Sequence, residues 1–222
     1  MAAMHSLLFH LPGLYLRILG VIAVAMSLVA LRGFVIPSGD ERRSLSGKSR
    51  VVPVVKDIGW LSETSAADGR TPFEYAHEPL NEQLVIVYAE DRSSRIRYLT
   101  RKEVAAMDLE PGQLRALAAA NLGNILPPVS LRRGNAVAMV VAGGDYEASL
   151  LAAPELWSAK MAAEGELVVA IPARDLLLVT GTGTPGGVAQ LREAASTLYR
   201  EASNRLTPDL FVYRDGRFTR ID

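Results

Sequence analysis

Residues 166–181 read ELVVAIPARDLLLVTG. Two apolar, largely aliphatic runs, ELVVAI and LLLVTG, flank PARD at residues 172–175. Runs this short and this apolar suit strands covered on both faces. A proline-containing link of a few residues leaves no room for a crossover helix, so the two strands are expected to run antiparallel.

That expectation governs how the next stretch is read. The second run leads into TGTGTPGG, where Gly181, Gly183 and Gly186 have the spacing G-x-G-x-x-G, and the helical pattern GVAQLREAASTLYREA follows. The same spacing marks dinucleotide-binding loops, but only inside a parallel βαβ unit with an acidic residue about 20 positions on. An antiparallel strand before the loop removes that unit. The acidic candidate after the next strand, Asp215, lies well beyond the spacing. The loop also has no lysine of the kind a Walker loop uses. The glycines then serve to turn a strand into a helix, with Thr184 as N-cap and Pro185 in the first turn. A nucleotide or phosphate held at Gly181–Gly187 stays the alternative.

The rest of the globular part reads as hairpins interrupted by helices. LVIVYA at 84–89 is a strand, and RIRYLT at 95–100 its half-exposed partner. Thr100 with Glu103 forms a capping box for a short helix. Pro111 opens a longer one, PGQLRALAAANLGNIL, with Leu114, Leu117, Leu122 and Ile125 at helical spacing and Pro127-Pro128 as its stop. NAVAMVVAG is a strand, and the following GGDYEASLLAAPELWSAKMAAE is expected to be helical with Asp145 as cap. LFVYRDGRFTRI closes the chain as a hairpin turning at Asp215-Gly216. Residues 62–82 read as irregular. The pattern implies an α+β fold, a mostly antiparallel sheet with packed helices, over 51–222.

The front of the chain is different. ILGVIAVAMSLVAL at 18–31 is uncharged and bracketed by Arg17 and Arg32. Read from Leu14 to Ile36 it is long enough to cross a bilayer, with the arginines snorkelling to the headgroups. Residues 1–37 are therefore expected to be a membrane anchor and 38–50, SGDERRSLSGKSR, a polar linker. A cleaved signal peptide and a soluble buried helix are the alternatives. Arg32, Arg42, Arg43, Lys48 and Arg50 follow the segment, which places the main domain on the cytoplasmic side. The alternative is a soluble cytoplasmic protein.

The composition narrows the chemistry. Lys plus Arg and Asp plus Glu are both 24, so no net field draws in nucleic acid, and none is expected as a partner. With Cys 0 there is no thiol chemistry or thiolate metal site, and the reading expects no metal and no cofactor. Of the 3 His, only His77 lies outside the N-terminal segment, and no G-x-S-x-G surrounds a serine. Arg92, Arg95 and Arg97 form a basic stripe read as a solvated face. The expected ligand-binding residues are Asp145, Ser149, Arg174 and Asp175, placed at strand ends and helix starts. Arg174 is expected near Asp145, either pinning the turn to the helix or completing an anion site.

RVVPVVKDIGWL, LNEQLVIVYAEDRSSRIRYLTRKEVAAMDLEPGQLRALAAANLGNILP, AGGDYEASLL and LVVAIPARDLLLVTG together resemble the YtpQ-like bacterial proteins, a family built on a domain of unknown function. The resemblance covers about residues 50–216. It implies a shared fold and no chemistry to carry over. The apolar front of this chain departs from typical members.

Overall fold

The computed structural model describes residues 47–222 apart from 68, 72, 73, 93, 94, 111 and 162, and these residues belong to one compact unit. The fold is α+β and antiparallel throughout, as its hairpin pattern implies, but it holds two sheets. In the first, β3 (Leu84–Arg92) is central. It pairs along one edge with β1 (Val51–Asp57), and along the other with β2 (His77–Pro79) and β4 (Arg95–Tyr98) placed end to end. The second sheet has the order β10-β9-β7-β8-β6-β5. Its strands are β5 (Ser130–Arg133), β6 (Ala138–Val141), β7 (Leu167–Ala170), β8 (Leu177–Gly181), β9 (Leu210–Arg214) and β10 (Arg217–Ile221).

β7 and β8 pair antiparallel, with Val169 opposite Val179. Both are buried along their whole length because each lies inside the sheet and is covered on both faces. The turn between them spans Ala173–Leu176, with Leu176 N–H donating to Ala173 O at 3.2 Å, so Arg174-Asp175 sit at its centre and Pro172 precedes it. The last hairpin turns at Asp215 and Gly216 with φ of 50° and 77°, the left-handed pair that matches strand twist.

Helix α1 (Gly59–Ala67) follows β1, and the short α2 (Arg101–Ala105) follows β4 with the Thr100–Glu103 capping box in place. Helix α3 (Gln113–Ile125) buries Ala118, Ala119 and Leu122. It ends where Leu126, preceding Pro127, is forced extended. Helix α4 (Gly187–Glu201) packs on β7 and β8 through Leu191, Ala194, Ala195 and Leu198, an i, i+3, i+4, i+7 stripe. The main core takes Leu84, Ile86 and Tyr88 from the first sheet, Val169, Val179 and Phe211 from the second, and Trp157 between them. Asn81 joins the two sheets: its Oδ1 accepts the N–H groups of Gln83 and Leu84, and its Nδ2 donates to Phe218 O.

Several expectations are corrected. The segment after Asp145 is not an α-helix but three short 3-10 turns, Ala148–Ala152, Pro154–Leu156 and Ser158–Lys160. Pro154 lacks an N–H and pushes Ala153 out of the helical region (φ −137°), which breaks the helix. Asp145 therefore caps nothing. Residues 62–67 of the expected irregular stretch are helical, and 77–79 form β2, because both find cover against β3 and its neighbours. The last residues of the expected linker, Gly47–Arg50, form a 3-10 turn held by Asn121 Nδ2 donating to Lys48 O at 2.9 Å. Gly186, left-handed at φ 69°, is the N-cap of α4 in place of Thr184. The candidate anchor, residues 14–36, lies outside the described residues. Among those described, no helix is long and apolar enough to cross a membrane.

Candidate functional site

The glycine loop is packed against its own chain. Thr182 N–H donates to Glu166 O, Gly183 N–H to Glu164 O, Thr184 N–H to Gly181 O and Gly187 N–H to Thr184 O. The amides a phosphate would need are thus largely in use. Together with the antiparallel β7–β8 pair this leaves Gly181, Gly183 and Gly186 as packing and turn positions.

The expected residues around Arg174 do come together in part. Arg174 Nη2 lies 3.8 Å from Asp145 Oδ1. Arg174 itself is held by its backbone: its N–H donates to Asn204 O and its C=O accepts from Ala148 N–H, both at 3.0 Å. Ser149 is fully buried, and its Oγ accepts Val55 N–H at 3.3 Å, which seals the free edge of β1. Its hydroxyl is thus engaged inside the fold. Asp175 takes the second turn position and makes no ion pair among the described residues. The free helix-start amides expected at Asp145 are absent. Gly143 and Gly144 turn the chain with left-handed φ so that the Ala142 and Gly144 N–H groups reach Glu147 Oε1 at 2.9 and 2.7 Å. Glu147 is buried, which pushes its carboxyl up, against the pull of those amides. The chain's own carboxylate fills the anion position that the sequence offered to a ligand.

Lys56 was not among the expected site residues. It stands opposite Val85 in the β1–β3 register and so shares that residue's face of the sheet. On that face Val85, Val87, Leu61 and Tyr75 form a small cluster with Trp60 and Tyr98 packed against it. The three rings make a tilted triad, with centroids 4.5 Å apart for Trp60–Tyr98, 5.8 Å for Trp60–Tyr75 and 6.2 Å for Tyr75–Tyr98. Lys56 Nζ lies 5.3 Å from the Trp60 ring centroid and 5.8 Å from that of Tyr98. Burial lowers the Lys56 pKa, the Arg174 guanidinium lowers it further, and Asp57 opposes both.

The same tyrosines border a cavity of about 1010 Å³. Ile96, Tyr75 and Tyr98 give it an apolar wall; Arg70, Arg101 and Lys102 bring positive charge. Arg97 and Glu103, also on its wall, are fixed framework. Arg97 is paired with both Glu90 and Glu103, and Glu103 Oε2 accepts from the Thr100 N–H and hydroxyl. Partial burial would raise the Glu103 carboxyl, but the Thr100 and Arg97 hydrogen bonds outweigh it and bring it to about 2. Of the basic stripe, Arg92 and Arg97 are thereby neutralised by Glu90 and Glu103, and Arg95 is exposed. Arg70, Arg101 and Lys102 make no ion pair among the described residues; Arg70 lies over the Tyr75 ring at 5.8 Å. Glu74 also lines the cavity, its Oε1 accepting the Thr71 N–H, so the wall is aromatic with an excess of positive over negative side chains, which suits an organic anion with a flat body.

Fold and site together define a two-sheet α+β domain with a tyrosine-walled cleft lined by several basic side chains. No family model matches the chain, and neither curated proteins nor solved structures give a match. Among the described residues no cluster of His, Asp and Glu has the make-up of a metal site.

Proposed function

We propose that this chain is a membrane-tethered binding domain that takes a small organic anion in the cleft walled by Tyr98. One observation carries this reading: Arg70, Arg101 and Lys102 line an aromatic-walled cavity and make no ion pair among the described residues, so that with Arg97 its cations outnumber its two carboxylates, Glu74 and Glu103. All three side chains are exposed and reach into the cleft mouth, where an anion would receive charge-assisted hydrogen bonds from them. The likeness to the YtpQ-like proteins adds a shared fold to this reading and no activity. A nucleotide at Gly181–Gly187 has less support, because the loop's amides bond within the chain.

The test uses Trp60, whose ring lies against Tyr98, whereas Trp157 is fully buried in the core. Phenyl phosphate and AMP are expected to change Trp60 fluorescence saturably in the full chain. The double variant Arg101→Gln/Lys102→Gln should weaken this at least about tenfold, the equivalent of one lost charge-assisted hydrogen bond. No saturable change at millimolar ligand, or one untouched by the double variant, overturns the cleft.

The tether rests on residues 14–36 and on Arg32, Arg42, Arg43, Lys48 and Arg50 at and beyond the end of the apolar run, which favour a cytoplasmic domain. Full-length protein should stay with the membrane pellet after alkaline carbonate washing. Release of the intact chain into the supernatant counts against the tether, and a mature N-terminus near residue 32 would indicate signal cleavage instead.

A further inference from the structure

Arg174 has two readings that proximity to Asp145 leaves unresolved, a pin for the turn or part of a binding site. Three observations separate them. The first is the looseness of the pair. At 3.8 Å the Arg174–Asp145 contact is beyond hydrogen-bond distance, and the Asp145 side chain is 75% exposed. A surface pair of this kind contributes little to stability. The second is an orphan donor: Arg174 Nε is buried and has no hydrogen-bond partner. A native structure rarely leaves such a group unmade without a reason.

The third is Lys56. It lies near the end of β1, and Arg174 lies in the β7–β8 turn that the 3-10 segment brings to that end: Val55 N–H donates to Ser149 Oγ at 3.3 Å, and the adjacent Ala148 N–H donates to Arg174 O at 3.0 Å. Lys56 makes no ion pair among the described residues. The neighbouring Asp57 offsets part of this charge but forms no ion pair with Lys56, its Oδ1 accepting Trp60 N–H at 3.2 Å. Two half-buried cations at one corner of the fold, one with an unmade donor, repel each other in the empty domain. An anion between them would relieve the repulsion and satisfy both.

We propose that Lys56 and Arg174 form a second site, for the oxyanion group of a small acid, with Trp60 and Tyr98 as its apolar flank. The Arg174 fork takes two oxygens through Nε and an Nη, and Lys56 supplies a point charge. Asp145 is the exposed counter-charge that the incoming group displaces. Carboxylate and phosphate share this chemistry, and the test distinguishes them.

The sign of the stability change separates a site from a pin. Lys56→Met keeps the aliphatic stem against Trp60 and removes the charge. If the two cations form a site, this variant melts higher than the parent in chloride alone. Malonate or inorganic phosphate, at ionic strength matched with chloride, should raise the melting temperature of the parent chain in detergent. The rise should be lost in Lys56→Met and in Arg174→Gln; comparison with the variants subtracts the general stabilising action of such salts. A response to malonate alone assigns a carboxylate ligand, and a response to phosphate alone a phosphate. Arg174→Lys, which keeps the charge and removes the fork, should weaken the response about tenfold and serves if Lys56→Met does not fold. The Arg101→Gln/Lys102→Gln variant should keep the full response, which separates this site from the cleft. No anion-specific rise in the parent, or a rise that survives in both Lys56→Met and Arg174→Gln, overturns the proposal. So does a Lys56→Met chain that melts lower than the parent.

Discussion

Gly181→Ala is expected to destabilise the domain by about 3 kcal/mol, the upper part of the usual overpacking range. For a domain of this size that is a fall in melting temperature of roughly 6–12 °C. The reason is the way the loop before β7 crosses the end of β8. A Cβ on Gly181 would stand 2.7 Å from Glu164 N and closer still to Glu164 O. Both are backbone atoms, so no rotamer change relieves the clash. Separating the two segments would also break the Gly183 N–H to Glu164 O and Thr182 N–H to Glu166 O bonds. Thermal denaturation monitored by circular dichroism measures the effect. A variant within about 2 °C of the parent, at most about 1 kcal/mol, would show that Gly181 is not held by close packing. Nucleotide affinity lost without a change in melting would return the loop to the phosphate reading.

A loss of similar or greater size is expected for Trp157→Ala, about 3–5 kcal/mol as for other buried aromatics. Trp157 is completely buried and lies in the core that both sheets share. It follows a run of irregular turns, where no ladder of backbone hydrogen bonds fixes the chain. Its Nε1–H donates to Leu150 O at 2.8 Å, closing that run on itself. The side chain thus supplies volume and also the order that an α-helix would otherwise supply. Trp157→Phe should recover much of the volume and leave the Leu150 carbonyl without this donor, for an intermediate loss of about 1–3 kcal/mol. Urea titration of the three proteins checks the ranking. Equal midpoints for the Phe and Trp forms would remove any role for the hydrogen bond.

These two sites show where sequence pattern was informative. At Gly181 the local letters had two explanations, a phosphate loop and a strand-to-helix turn. The antiparallel expectation from PARD favoured the turn, and the β7–β8 register agrees with it. At Trp157 the local letters misled. GGDYEASLLAAPELWSAKMAAE has helix-forming composition, yet Pro154, the left-handed glycines and the pull of Glu147 on the preceding amides favour successive 3-10 turns. Helix propensity is a weak prior when tertiary contacts supply other partners for the backbone.

What the sequence determined by itself is local. Alternation and β-branched runs place β3, β7 and β8; Thr100 and Glu103 cap α2; the Leu-rich stripe and Pro127 bound α3; Asp215-Gly216 turns the last hairpin. Each depends on residues a few positions apart, whose geometry is set by backbone sterics and nearby hydrogen bonds. The candidate sites are not of this kind. Arg174 was legible as a turn residue near Asp145, but Lys56 was not, because nothing local in VVPVVKD sets that lysine apart. Only the pairing of β1 with β3 turns Lys56 onto the face that holds Trp60 and Tyr98, and only the packing of the 3-10 segment against the free edge of β1 brings the β7–β8 turn to that corner. Charge and desolvation depend on distance through space, so a balanced composition can still bring two cations to one corner of the fold.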